Sequence, residues 1–187
     1  MRTKGVTRRE IEEGLATMGD YVKMEYLLSC LKRDIDFEAR KFVLVKLSGL
    51  YESKSMLWDA GKMMRNAAEI NTTFQNKIND FVKSAELFVR GGRYDEADIS
   101  IKRAIAIADS KQKMKVKESE KEFYKMMARF YISNDKRKQA MEAYEKMLTL
   151  EMAGEERIEA QKNLLGLYER LGKIREYNSL RGVMSKV

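Results

Sequence analysis

The chain has 187 residues, of which 44% are hydrophobic and 35% are charged, and its formal net charge is +8. It contains no proline, no histidine and a single cysteine. The lack of histidine argues against most hydrolase and zinc chemistry, because histidine is the usual acid–base group near neutral pH and the commonest metal ligand. The lack of proline favours continuous helices joined by short turns over a β or α/β fold, whose loops commonly use proline.

The location follows from the cysteine count and the hydropathy. Cys30 has no possible disulfide partner within the chain, which fits a reducing compartment. Residues 1–13 are polar and lack the apolar segment of a signal peptide, and no stretch approaches 18 apolar residues. We therefore expect a cytoplasmic protein with no membrane segment, no cofactor and no metal.

Helix boundaries can be read in chain order. Thr7 followed by Glu10 predicts a capping box at the start of the first helix. The polar stretches 71–73 and 133–135 offer side-chain caps between helices. Gly91-Gly92 can end a helix, because glycine accepts the left-handed conformation there. Between these signals, apolar residues recur at three- and four-residue spacing, which predicts an all-α protein.

The apolar residues also repeat with a period longer than the helical one. Several groups of large and small apolar residues follow one another in the same internal order. They are Ile11, Leu15, Gly19, Tyr21, Met24, Leu28 and Leu31; Leu44, Leu47, Ser48, Tyr51, Ala60, Met64 and Ala67; Phe81, Ser84, Ala85, Phe88, Gly92, Tyr94, Ala97, Ile101 and Ala104; Tyr124, Met127, Ala128, Tyr131, Ala140, Tyr144 and Met147; and Leu164, Leu165, Tyr168, Gly172, Ile174, Tyr177 and Met184. A repeat of this length is typical of stacked helix pairs.

The pattern resembles the tetratricopeptide (TPR) repeat, a helical hairpin of about 34 residues. The resemblance implies small residues where the two helices of a hairpin cross most closely. The residues at that position are Met24, Ala60, Ala97, Ala140 and Tyr177, at spacings of 36, 37, 43 and 37. Three positions depart from the family pattern: Ser84 should be large and apolar, and Glu12 and Tyr177 should be small.

The resemblance implies an all-α, right-handed superhelical solenoid of about five antiparallel TPR-like hairpins. We predict a single domain over residues 1–187, with approximate units 5–34, 36–71, 73–109, 119–153 and 155–187. The 43-residue spacing leaves an extra lysine-rich stretch near 110–118. That stretch is either a solvated helix extension or loop, or a segment that contacts phosphate.

In TPR arrays the first helix of each hairpin lines a concave groove, and the resemblance therefore implies a set of partner-binding residues. Carried over position by position, this set is Lys46, Lys83, Arg90, Lys125, Arg129, Lys162, Asn163 and Arg170, with Arg9 in the first unit. Arginine can bind a carboxylate through two parallel hydrogen bonds, so the set suggests a groove for an acidic peptide or a partner helix. Acidic residues occupy groove positions too: Glu10, Glu13, Glu86, Glu122 and Glu159.

Several functional hypotheses therefore stay open. The first is a non-enzymatic protein–protein interaction scaffold with a basic groove. The alternative for the same residues is a solvated helix face that binds no partner. The second is RNA or ribosome binding through the basic surface, for which affinity would fall steeply with salt. The third is a homo-oligomer formed through the C-terminal hairpin. Trp58 is expected to pack in the core or between repeats, and no pair of carboxylates stands out as catalytic.

Overall fold

A computed structural model describes residues 7–185 of the chain, and over these residues it consists of ten helices. In chain order they are α1 (Arg8–Leu15), α2 (Asp20–Leu31), α3 (Phe37–Ser53), α4 (Leu57–Ile70), α5 (Phe74–Arg90), α6 (Tyr94–Ile107), α7 (Ser110–Ser133), α8 (Arg137–Leu148), α9 (Gly154–Arg170) and α10 (Ile174–Met184). The predicted all-α class is confirmed. These residues divide into two compact units, one ending at Val116 and the other starting at Lys117.

The turns inside four hairpins repeat one backbone geometry. Each turn contains one residue with a left-handed backbone, at Ser55, Gly92, Asp135 or Gly172. The amide of the next residue donates to a carbonyl five positions back, at 2.9, 2.8, 2.8 and 2.9 Å in the four turns. This bond closes the end of a helix with a left-handed cap. The helix pairs are thus a structural repeat, and the TPR-like fold predicted from the sequence is confirmed.

Small residues fill the predicted crossing positions of the central hairpins. Ala60, Ala97 and Ala140 are all buried. Ser48 of α3 is buried too, and its hydroxyl donates to the carbonyl of Ala60 across the hairpin at 2.9 Å. A larger side chain at any of these positions would separate the paired helices, because buried side chains are closely packed.

The first unit packs in sequence order: α2 contacts α3, α3 contacts α4, α4 contacts α5 and α5 contacts α6. Its N-terminal core joins the first three helices through Ile11, Leu27 and Val43, which are fully buried. Thr7 caps α1 in the predicted box with Glu10. The side-chain caps predicted at 71–73 and 133–135 are absent from the starts of α5 and α8, because the residues at those N-cap positions, Thr73 and Lys136, make no side-chain capping hydrogen bond. At the end of α7, the Ser133 hydroxyl and the Asn134 amide each donate to the carbonyl of Phe130 at 2.8 Å.

The second unit has its own core, formed by α7, α8, α9 and α10. Tyr124 and Ala128 of α7, Ala140 of α8 and Leu164 of α9 are buried in one cluster. Tyr177 of α10 packs against this cluster from the outside. As expected for a terminal helix with one side in solvent, α10 contains no buried residue of its own.

The lysine-rich stretch 110–118 is helical and forms the start of α7. Val116 is buried, whereas Lys111, Lys113 and Lys117 are exposed. The stretch is therefore a helix extension and not a loop, and its exposed lysines are compatible with both alternatives that the sequence left open.

Candidate functional site

Two predicted groove cations of the first unit are neutralised within the protein. The Lys83 ammonium lies 3.5 Å from a carboxylate oxygen of Glu52 and 3.2 Å from one of Glu86. Arg90 donates to Glu52 and lies 3.5 Å from Glu86. The hydrogen bond from Arg90 holds the pKa of Glu52 below its usual value. The four charges cancel, so this part of the first unit offers little net positive charge to a ligand.

The other predicted cations of the first unit lie near its N-terminal end. The Lys46 ammonium lies 5.6 Å from the ring centroid of Phe42, within the range of a cation–π contact. The guanidinium of Arg9 is 2.9 Å from the carboxylate of Glu13, one helical turn away. Lys46 is exposed and also lines a small cleft between α1, α2 and α3.

In the second unit, a carboxylate of α9 holds the start of that helix beside α7. Lys121 is only 8% exposed, and its ammonium lies 2.9 Å from Glu118 and 3.0 Å from Glu156. The Lys125 ammonium lies 3.7 Å from the other oxygen of Glu156. A buried ammonium is costly without a partner, so Glu156 fixes both lysines and places α7 next to α9.

Further along α7 and α9, three of the predicted cations are exposed. Arg129, Lys162 and Arg170 form no salt bridge with any residue that the structure describes. Asn163 donates to the backbone carbonyl of Glu159 at 3.0 Å, inside its own helix. Four of the eight predicted side chains are thus exposed cations without a salt bridge among the described residues: Lys46 in the first unit, and Arg129, Lys162 and Arg170 in the second.

Two exposed apolar side chains lie beside these cations. Met126 is 44% exposed and precedes Arg129 by three residues on α7. Ile158 is 39% exposed and precedes Lys162 by four residues on α9. Residues three or four apart lie on one helix face. We call the set Lys125, Met126, Arg129, Ile158, Lys162, Asn163 and Arg170 the α7–α9 face. Glu122 and Glu159 are also exposed on these two helices.

The C-terminal hairpin forms a cleft of about 520 Å³ with α8. The Tyr168 hydroxyl donates to Glu145 at 2.9 Å, and burial together with this carboxylate raises the pKa of Tyr168 to about 12. Leu180, like Tyr177, packs against the core of its own unit. Tyr177 and Leu180 of the C-terminal hairpin are therefore partly covered within their own unit, which leaves less apolar surface there for pairing between copies.

Sequence reasoning missed the two structural carboxylates, Glu52 and Glu156, and left two positions open for Trp58. Trp58 is 41% exposed and is therefore not a core residue. Its contact with Arg93, in the turn of the next hairpin, agrees with the other alternative, packing between repeats. Its ring lies 4.2 Å from the Lys62 ammonium and 5.7 Å from the Arg93 guanidinium. Glu52 and Glu156 gave no signal in the sequence, because each meets its cations across more than 30 positions of chain.

Within residues 7–185, no group of three or more Cys, Asp and Glu side chains is arranged to hold a metal ion. The helices described by the structure include none that is long and apolar enough to cross a bilayer.

The comparisons with known proteins add a distant structural likeness. No protein-family model and no curated protein matches the chain. A crystal structure from Podosopora anserina, described as a kinesin light chain with nearly identical TPR-like repeats, is 17% identical in sequence. The match covers 96% of this chain and 92% of that chain, with a TM-score of 0.42. The evidence for the repeat fold of the present chain is its own helix pairs and their repeated turns.

Proposed function

We propose that this chain is a non-enzymatic, cytoplasmic interaction scaffold that binds an acidic peptide or partner helix on its basic groove positions, with the α7–α9 face as the main contact. The observation that supports this most is the unneutralised charge of Arg129, Lys162 and Arg170 beside exposed apolar side chains. An amphipathic helix with carboxylates and leucines on one face has the complementary chemistry.

Salt bridges inside the protein determine which of the predicted residues are most available to bind a ligand. Lys83 and Arg90 already contact Glu52, so a ligand carboxylate would have to compete with it. Lys125 is partly satisfied by Glu156. Arg129 is exposed and can offer both of its parallel donors to a carboxylate. We therefore assign the larger share of ligand recognition to Arg129, Lys162 and Arg170.

The test is a fluorescence anisotropy titration with a labelled acidic amphipathic peptide of about 16 residues, roughly 24 Å long as a helix. This length is close to that of α9, which has 17 residues. Reversing charge at two positions, in the variant Arg129→Glu/Lys162→Glu, is expected to weaken binding by about tenfold or more, since like charges across an interface repel.

The matched control makes the same charge change elsewhere in the second unit. Lys138 of α8 and Arg181 of α10 are exposed and lie outside the α7–α9 face. The variant Lys138→Glu/Arg181→Glu is expected to keep most of the affinity. Equal losses in the two double variants would show that only net charge matters and would overturn the site.

A titration with single-stranded RNA at low and high salt addresses the alternative function. Nucleic-acid binding by phosphate contacts weakens steeply as salt rises. Tight RNA binding with that salt dependence, in the absence of peptide binding, would contradict the proposal and favour the exposed lysines of 111–117 as the contact.

A further inference from the structure

The start of α5 and the start of α7 are joined by a hydrogen bond between two glutamine side chains. The Gln112 amide donates to the amide oxygen of Gln75 at 2.8 Å, and the Gln75 amide donates to Asn79 at 3.0 Å. The backbone amide of Asp109 in turn donates to the Gln112 side chain at 2.9 Å. The two helix starts therefore form one surface, and all of these residues belong to the first unit.

An uncovered aromatic ring lies on this surface. Phe74, the first residue of α5, precedes Gln75 and is 69% exposed. Among the aromatic residues that the structure describes, only Tyr21 is as exposed, at 70%. The Tyr21 ring is occupied by the Lys54 ammonium, 5.4 Å from its centroid, and Asp20 neutralises that lysine at 2.8 Å. The Phe74 ring has no described residue in a ring contact with it, so both of its faces are accessible to a ligand.

Two lysines of the surface form no salt bridge. Lys111 and Lys113 flank Gln112 in the chain and are exposed. Neither has a carboxylate within salt-bridge distance among residues 7–185. The first turns of α5 and α7 contain no acidic residue, and the carboxylate of Asp109 accepts a 2.8 Å hydrogen bond from the backbone amide of Gln112. Both ammonium groups are thus available to an anion. We call Phe74, Gln75, Lys111, Gln112 and Lys113 the α5–α7 surface.

The exposed ring selects among the polyanions that would be attracted here. Proteins that bind single strands combine lysines on the phosphates with aromatic side chains on which the bases stack. The bases of a duplex are already stacked on one another and cannot reach a ring. An anionic membrane requires several apolar side chains on one side. Met114 is 71% exposed, but it lies about 200° around the helix from Gln112 and therefore faces away from α5.

We propose that the α5–α7 surface binds single-stranded nucleic acid, with one base stacked on Phe74 and the adjoining phosphates on Lys111 and Lys113. The hydrogen bond between Gln75 and Gln112 holds the ring and the two ammonium groups next to each other. This binding goes beyond the peptide recognition proposed above and uses different residues, so either activity can fail without the other.

The test is a fluorescence anisotropy titration of the full chain with a labelled oligouridylate of about ten nucleotides. For a single strand, each phosphate contact contributes about 0.7 to the slope of log affinity against log salt, so two contacts predict a roughly sevenfold loss between about 50 and 200 mM salt. Inorganic polyphosphate has the charge without the bases and is expected to compete about tenfold more weakly.

Substitutions at position 74 separate base stacking from simple apolar contact. Phe74→Ala is expected to weaken oligouridylate binding about tenfold, the size of effect typical for loss of one stacked base. Phe74→Leu keeps an apolar side chain without the ring and should lose nearly as much, whereas Phe74→Trp should bind at least as tightly as wild type. Tyr21→Ala removes an equally exposed ring from the same unit and should leave binding unchanged.

A second pair of variants tests the lysines. Lys111→Gln/Lys113→Gln is expected to weaken binding several-fold and to remove most of its salt dependence, since the two phosphate contacts are lost. Lys32→Gln/Lys46→Gln makes the same charge change at exposed positions of the first unit outside the surface and should keep most of the affinity. Circular dichroism of every variant checks that the helices are intact.

Three results would overturn the proposal. Equal losses in the two lysine variants, or full affinity in Phe74→Ala, would show a contact that depends on net charge alone. Binding to vesicles of anionic phospholipid that requires Phe74, without binding of oligouridylate, would make the surface a membrane contact instead. Loss of oligouridylate binding in Arg129→Glu/Lys162→Glu, with full binding in Phe74→Ala, would move the nucleic-acid site to the α7–α9 face.

Discussion

Gly61 of α4 lies directly against the ring of Phe88 of α5. A β-carbon at position 61 would stand 2.8 Å from two ring atoms of Phe88, closer than side-chain atoms approach in folded proteins. Both residues are buried. The two hairpins therefore meet at a point where only glycine fits without moving the ring.

Gly61→Ala is consequently expected to destabilise the protein by about 1–3 kcal/mol, because overpacking forces neighbouring groups to shift. The measurement is the free energy of unfolding in urea. Gly49→Ala is the control: position 49 is also inside a helix, but nothing lies near its β-carbon position. That change should stabilise by up to about 1 kcal/mol through helix propensity. Stabilisation by both substitutions would contradict the packing described here.

The repeated turns allow a second prediction. Gly92 and Ser55 occupy equivalent positions with φ values of 68° and 59°. Gly92→Ala is expected to cost about 1–2 kcal/mol, since the left-handed backbone is unfavourable for residues with a β-carbon. Ser55→Gly is expected to stabilise by up to about 1 kcal/mol for the same reason. Thermal or urea unfolding of the two variants measures both effects. An unchanged free energy of unfolding in Gly92→Ala would show that the two turns are not equivalent.

Acid titration of stability tests the Glu52 cluster. The folded pKa of Glu52 is lowered, mainly by its hydrogen bond from Arg90. Its stabilising contribution is therefore complete above the unfolded pKa, about 4.3, and is lost as pH falls through the lower folded pKa. Unfolding in urea between about pH 6 and pH 3 should show that Glu52→Gln loses more stability at the upper end than at the lower end.

Asp80 should behave in the opposite way in the same experiment. Burial raises its pKa, although its side chain accepts a 2.8 Å hydrogen bond from Asn71. Its contribution is therefore greatest below the unfolded pKa, about 3.9, and is lost as pH rises through the higher folded pKa. Asp80→Asn should be relatively more stable at the upper end of that pH range. Parallel profiles for the two variants would be inconsistent with these environments.

Glu156 links stability and ligand binding. Glu156→Gln removes one of the two carboxylates that satisfy the buried ammonium of Lys121, at an expected cost of about 1–3 kcal/mol. The same change frees Lys125 and should strengthen binding of the acidic peptide by a few-fold, on the order expected for one added charge. Glu155→Gln, at an exposed neighbouring position, is the control and should do neither.

The sequence predicted the repeat because its strongest signals are local to each hairpin. The spacing of Ala60, Ala97 and Ala140 identified the helix crossings, and all three are buried. Ser84 looked like a defect in that pattern. In the structure its hydroxyl donates to the carbonyl of Gly61 at 2.9 Å and lies 3.2 Å from that of Ser100. The small residue is needed because the neighbouring helix is close, which no local pattern reveals.

The candidate site was less predictable for a related reason. Register within a helix placed Lys83 and Arg90 on a common face, but their partner Glu52 lies 31 and 38 positions away. Only tertiary packing decides which cations are neutralised and which stay free. The sequence pattern predicts the number of hairpins and the candidate binding residues, whereas tertiary packing determines which of those residues are paired with a carboxylate.

The most direct test of the central claim is an NMR titration of the ¹⁵N-labelled full chain with the acidic amphipathic peptide. We predict saturating shifts centred on Arg129 of α7 and Lys162 of α9. Shifts confined to the lysine-rich start of α7 or to α8 and α10, or no shifts at a peptide concentration of about 1 mM, which corresponds to only about 4 kcal/mol of binding, would contradict the account.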